Sequence, residues 1–187
     1  MDHLFQCINK YFNISSEAVE SLSCYVKKVE IGKNSILVKE SNICHQLYFL
    51  EKGALRGYYN LDSKEVTFWF AFEGSFITSF YSFISQKPGI DNIQAIENSI
   101  LWSISYEALQ KLFDQHHDIE RLVRIINEKY YVHLEERLIA MQFRTARERY
   151  EQLILNSPHI LKRISLGHIA SYLGISQETL SRIRAQN

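Results

Sequence analysis

The apolar pattern of this chain changes period once, near residue 105, and that single change limits the folds open to it. Strand side chains alternate with a period of two, whereas helix faces repeat every 3.6 residues. From about Val29 to Ile104 the stretches VEIGKNSILV, QLYFLEKGALRGYY, KEVTFWFAF and IQAIENSILWSI alternate or run together in β-branched and aromatic residues. Five of the seven glycines, at 32, 53, 57, 74 and 89, punctuate the same half. Short strands separated by glycine-marked turns predict an antiparallel sandwich or barrel. A helix is expected before it, over 14–26, with Ser15 or Ser16 as its cap.

Past the change the pattern stays helical. Ser105 caps YEALQKLF, with Glu107 at the positive end of the dipole. From Asp118 to about Arg144 there is neither Gly nor Pro, and a helix of about 27 residues spans roughly 40 Å. One apolar stripe on it is Ile119, Val123, Ile126 and Tyr130; another is Leu122, Ile125, Leu134, Leu138 and Met141. Two apolar faces need two covers. The β half supplies one, and a second copy of the chain supplies the other unless both fold back within one chain. The first stripe is assigned to the dimer contact. Thr145 and Glu148 make a capping box for a further helix, TARERYEQLIL, which Asn156-Ser157-Pro158 ends. The expected class is α+β: a β sensor domain over 1–117, a long helix over 118–144 and a small helical domain over 145–187.

Net charge is zero, but its distribution is uneven. Residues 137–187 hold eight Lys or Arg against three acids, a net of +5, and residues 1–136 hold 13 against 18, a net of −5. A basic end on an acidic body suits a nucleic-acid partner. The three cysteines, Cys7, Cys24 and Cys44, are odd in number and widely spaced, which fits reduced thiols rather than a disulfide or zinc framework. The segment MDHLFQCINK lacks a basic region followed by an apolar one. The most apolar stretch, Val66 to Ile84, is broken by Glu73, Gly74 and serines, so no membrane partner is expected. These features predict a cytoplasmic protein. Catalysis is not expected. A metal-dependent jelly-roll enzyme needs an HxH pair with a nearby acid, and the β half holds one histidine, His45. Sequences of the type GxSxG, Walker A or HExxH do not occur.

The end of the chain is the most specific stretch. Ser165 caps LGHIASYL, Gly174 follows where a sharp turn wants positive φ, and Ser176 caps QETLSRIR. Ala170 is small enough for a second helix to cross closely, and Ile169, Leu173, Ile175, Leu180 and Ile183 fill the angle between the two. This is the pattern of a DNA-reading helix-turn-helix, the alternative being a structural hairpin. Gln177, Glu178, Ser181 and Arg182 are then left to meet base edges. Arg suits guanine O6/N7, Gln adenine N6/N7 and Glu cytosine N4. Ser176, Thr179, Lys162, Arg163 and Arg184 suit phosphate.

With ISLGHIASYLGISQETLSRIR at its end, HQLYFLEKGALRGYY and FAFEGSF in its β half and a long helix between, the chain resembles the Crp/Fnr family of bacterial transcription regulators. The resemblance implies a cyclic-nucleotide-binding-like jelly roll, a homodimer made through the long helix, and double-stranded DNA with a pseudo-palindromic site as partner. It further implies RNA polymerase as a partner and a small-molecule effector. By motif position Gln177, Glu178 and Arg182 read bases. The cassette by which relatives bind cyclic AMP is altered: Gly74 is followed by Ser75 and Phe76 rather than Glu, and Pro88 by Gly89 and Ile90 rather than Arg. Weak or no cyclic AMP binding is therefore expected, since a buried phosphate needs a guanidinium. An uncharged or apolar effector would meet Gly74, Ser75, Phe76, Phe80 and Tyr81, unless those aromatics are simply core. No cofactor is expected. A four-iron cluster needs four thiolates where three cysteines exist, and His116, His117 and His133 read as structural. SPHILKRI leaves room for a short β wing at most, and none is expected after Arg184. The competing class is a ligand-sensing or scaffold jelly roll without DNA binding.

Overall fold

The computed structural model describes residues 1–62 and 64–185. The sequence opens with α1 (Asp2–Asn9) and α2 (Ser16–Tyr25). Ser15 caps α2, its side chain accepting from Ala18 N–H. Eight strands follow among the described residues: β1 (Lys27–Ile31), β2 (Ile36–Val38), β3 (Gln46–Lys52), β4 (Leu55–Leu61), β5 (Lys64–Ala71), β6 (Phe76–Ile77), β7 (Asn92–Ala95) and β8 (Ser99–Ser105). A short α3 (Phe80–Ser85) sits between β6 and β7. The strands form two four-stranded antiparallel sheets, in the orders β1-β8-β3-β6 and β2-β7-β4-β5. Of the sandwich and the barrel that the sequence allows, the strands take the two-sheet form, and the sheets do not close into one barrel.

Alternation decides what the sheets bury. Tyr48, Leu50, Leu55, Ala71, Ile93, Ala95 and Leu101 form one apolar core drawn from both sheets. A second core joins α1, α2, Phe49, Phe83 and Ile104 to α4 (Tyr106–Gln115) and the start of α5 (His117–Phe143). Ser105 caps α4 through Ala108 N–H, as the sequence predicts.

The 27-residue α5 packs on the body most closely through its first half. Ile119 and Leu122 are buried, Val123 and Ile126 pack on the second core, and Tyr130 stacks on Phe80 with centroids 4.0 Å apart. The stripe Ile119, Val123, Ile126 and Tyr130, assigned to the dimer contact, therefore covers this chain's own body, which corrects that assignment. Two stripes share one period, and the body's aromatics took the more continuous one. Farther along, Tyr131, Leu134, Leu138 and Met141 are exposed at spacings of three and four.

Four more helices follow among the described residues: α6 (Ala146–Asn156), α7 (Ile160–Arg163), α8 (Leu166–Leu173) and α9 (Gln177–Ala185). The Thr145–Glu148 capping box is present at α6. The stretch where a wing would fit forms the single turn of α7 instead. These helices share a third core with body residues Ala54 and Ile96, against which Phe70 and Phe72 also pack. Among the described residues, no helix is long and apolar enough to cross a membrane.

Candidate nucleic-acid interface

The α8–α9 pair is built by local chemistry first. Ser165 caps α8 by accepting from His168 N–H. Gly174 ends it at φ 67°, ψ 35°. There the Ile175 N–H reaches back to Ala170 C=O at 3.0 Å, closing the helix end. Ser176 Oγ accepts from Thr179 N–H at 3.2 Å and so caps α9. Ile169, Ala170, Leu173, Leu180 and Ile183 are buried between the helices.

With its apolar face used, α9 turns Gln177, Glu178, Ser181 and Arg182 to solvent. Arg182 Nη2 donates to Thr179 Oγ1 at 3.2 Å, which steadies the guanidinium beside the outer face. Glu178 is held below the usual carboxylate range by the Ser176 hydroxyl and its own backbone N–H. It stays an anion, able to accept a base's amino group. Ser176, Lys162 and Arg184 are also exposed, and Thr179 is half-buried.

Arg163 differs from the other expected phosphate residues. Its Nη1 and Nη2 donate to Glu73 at 2.7 and 2.8 Å, and its Nε and Nη2 to Glu97 at 2.9 and 2.6 Å. Burial would raise Glu73, but Arg163 and the Gly53 N–H outweigh it and bring its pKa down to about 2. In this structure Arg163 therefore ties the helical end to two turns of the body rather than facing outward. Other ties run alongside. Ser171 Oγ donates to Glu65 C=O and accepts from Thr67 N–H, both at 2.9 Å. The rings of Phe70 and Tyr172 lie 5.3 Å apart. The helical end thus docks through α8, leaving the polar face of α9 clear.

The five residues expected to line an effector pocket do not converge. Gly74 (φ 87°) and Ser75 make the turn into β6, bonded to both the N–H and the C=O of Leu50. Phe76 packs on Phe49 and Tyr11, Phe80 on Tyr130, and Tyr81 points outward, 53% exposed. The void touching Phe76 and Phe80 is about 60 Å³, far below the ~300 Å³ at which ligand pockets begin. The expectation of a pocket at Gly74, Ser75, Phe76, Phe80 and Tyr81 is corrected accordingly: Phe76 is taken up by the core around Phe49 and Tyr11, and Phe80 by Tyr130 of α5. The cassette region is also closed on itself. Ser79 donates to buried Asp91, whose pKa burial raises, and a Cβ on Gly89 would stand 3.2 Å from Ser79 Oγ.

Residues 28–116 match the family model of the cyclic nucleotide-binding domain. No curated protein matches the sequence. FixK2 of Bradyrhizobium japonicum superposes with a TM-score of 0.76 at 20% identity, over 86% of this chain and 83% of that one. The c-di-GMP responsive global regulator CLP of Xanthomonas campestris gives 0.70 at 18%, over 92% and 91%. A protein of Eubacterium rectale assigned to the crp/fnr family of transcriptional regulators gives 0.71 at 18%, over 93% and 85%. Residues 28–116 are thus similar to a cyclic nucleotide-binding domain, and the chain shares the fold of these solved structures. In that fold α5 is the long central helix and α8–α9 the terminal pair. Most of both chains is covered in each comparison.

Proposed function

We propose that this chain is a homodimeric, sequence-specific DNA-binding transcription regulator that answers to an effector outside the cyclic AMP type. In this reading residues 1–117 sense, 118–144 pair two copies and 145–187 form the helix-turn-helix. The observation that carries it is the exposed quartet Gln177, Glu178, Ser181 and Arg182 on α9, opposite a fully used apolar face. Those side chains carry the donors and acceptors that a major groove distinguishes. Lys162, Ser176, Thr179 and Arg184 flank them as phosphate contacts. Arg163 joins them only if the helical end undocks.

The second copy is assigned to Tyr131, Leu134, Leu138 and Met141, the stripe that the body leaves bare. A two-fold pair of α9 helices calls for half-sites about one helical turn apart. RNA polymerase belongs to the same reading as a partner of the DNA-bound dimer. Selection of bound duplexes from a random pool tests the whole. A recovered motif with dyad symmetry supports the reading. A pool that stays random after repeated selection supports a sensor or scaffold without DNA binding.

A further inference from the structure

A cleft of about 500 Å³ opens where β5, the second half of α5 and the helical end meet. Phe68, Phe70 and Phe72, at alternate positions leading out of β5, give it an aromatic wall, and Tyr130 and Tyr172 add two phenol rings. Its size lies within the range of pockets that hold small organic molecules. The charged groups along it are His133, Glu136, Arg137, Arg144 and Arg149.

These groups are not equally free. His133 and Glu136 face each other at 3.9 Å near the rim. Arg144 donates to Gln152 at 3.3 Å. Arg149 donates to the carbonyls of Arg144 and Leu173, at 2.6 and 2.9 Å, although its buried Nε has no partner. Arg137 is half-buried and lies over the Tyr172 ring at 4.8 Å. Among the described residues its guanidinium has no hydrogen bond and no ion pair. A cation drawn from water is ordinarily paired. Here the missing partner faces a cleft walled by flat rings, and guanidinium forks recognise planar anions in two-point fashion.

We propose that this cleft binds a planar organic anion, its carboxylate or phosphate paired with Arg137 and its ring lodged among Phe68, Phe70, Tyr130 and Tyr172. The idea deepens the effector part of the proposed function and does not depend on DNA binding. Because Tyr172, Leu173 and Arg149 come from the helical end and the phenylalanines from the body, the ligand touches both and favours their docked arrangement.

Calorimetric titration of the full chain, without DNA, tests it with 1-naphthoate as the probe. Naphthalene-1-methanol keeps the ring without the charge, acetate keeps the charge without the ring, and phenyl phosphate compares the two anion types. The expected result is saturable binding of one naphthoate per chain, at least tenfold weaker for the alcohol and for acetate. Arg137→Gln should weaken naphthoate at least tenfold and Arg137→Lys less. Equal affinity for acid and alcohol overturns the proposal, as does a folded Arg137→Gln that binds like wild type, or no saturation by any anion. If Arg137→Gln fails to fold, the acid–alcohol comparison on the wild-type chain decides alone. Loss of this binding with an intact selected DNA motif would fault the cleft and spare the regulator, and the converse result would do the opposite.

Discussion

Replacing Arg163 with alanine should loosen the helical end from the body by a measurable amount. The side chain makes four charge-assisted contacts of 2.6 to 2.9 Å and is 21% exposed. Its pairing helps carry the Glu73 pKa from 4.5 to about 2. At ~1.4 kcal/mol per tenfold, that difference bounds the share that runs through Glu73 at about 3.4 kcal/mol. Glu73 is 35% exposed, so solvent screens roughly half of it. The Gly53 N–H, at 2.8 Å, survives the substitution and keeps a share. At least about 1–2 kcal/mol is left for Arg163 through Glu73, before its Glu97 pair is counted, which for a chain of this length is a fall in Tm of roughly 3–6 °C or more. The pH dependence has a fixed sign. The folded pKa of Glu73 is depressed, so the contribution is whole above 4.5 and disappears as pH falls toward about 2. Thermal melts of wild type and Arg163→Ala at a series of pH values read both. A difference under about 1 °C at neutral pH, or one that grows on acidification, would refute the tether.

Further outcomes follow from the same contacts. Leu138→Glu, at a site 58% exposed, should change stability by less than about 0.5 kcal/mol yet weaken self-association at least tenfold by sedimentation. An unchanged dimer would remove this stripe from the interface. Gly174→Val should cost about 1–2 kcal/mol in denaturant melts, because φ is 67° and a β-branched residue resists that region. A Cβ there would meet Met141 Cε at an ordinary 3.6 Å, so Gly174→Asn should be far milder. Cyclic AMP at about 1 mM should raise Tm by less than about 1 °C, since binding coupled to folding would otherwise show as a shift. A rise of several degrees would contradict the closed cassette around Ser79 and Asp91.

Local chemistry was the legible part of this chain. The Ser105, Thr145 and Ser165 caps and the left-handed turn at Gly174 follow from residue type and spacing and stand where the sequence puts them, and of Ser15 and Ser16 the structure takes Ser15. The outward face of α9 follows as well, because its apolar positions can satisfy only one neighbour. Choices among partners were not legible. Both stripes of α5 repeat with helical period, and only the placement of Phe80 beside Tyr130 decides which is covered. Arg163 has the chemistry of a phosphate ligand whether a phosphate or two carboxylates face it. Glu73 and Glu97 come from turns 24 residues apart in sequence, and only the fold brings them together. The cleft escaped for the same reason. Phe68, Arg137 and Tyr172 lie on three distant segments, and alternation along β5 hinted at a shared face without saying what would meet it. The short helices α1 and α7 carry too few turns for periodicity to announce them.

Base reading by α9 is the claim on which the functional account stands. Its most direct test is the affinity of wild type, Arg182→Ala and Lys162→Ala for a selected duplex and a scrambled one, by fluorescence anisotropy at fixed salt. Arg182→Ala should lose ~1–3 kcal/mol on the selected duplex and little on the scrambled one. Lys162→Ala should weaken both alike, as a phosphate contact does. Equal losses on both duplexes for Arg182→Ala, or wild-type binding that does not distinguish them, would contradict the account.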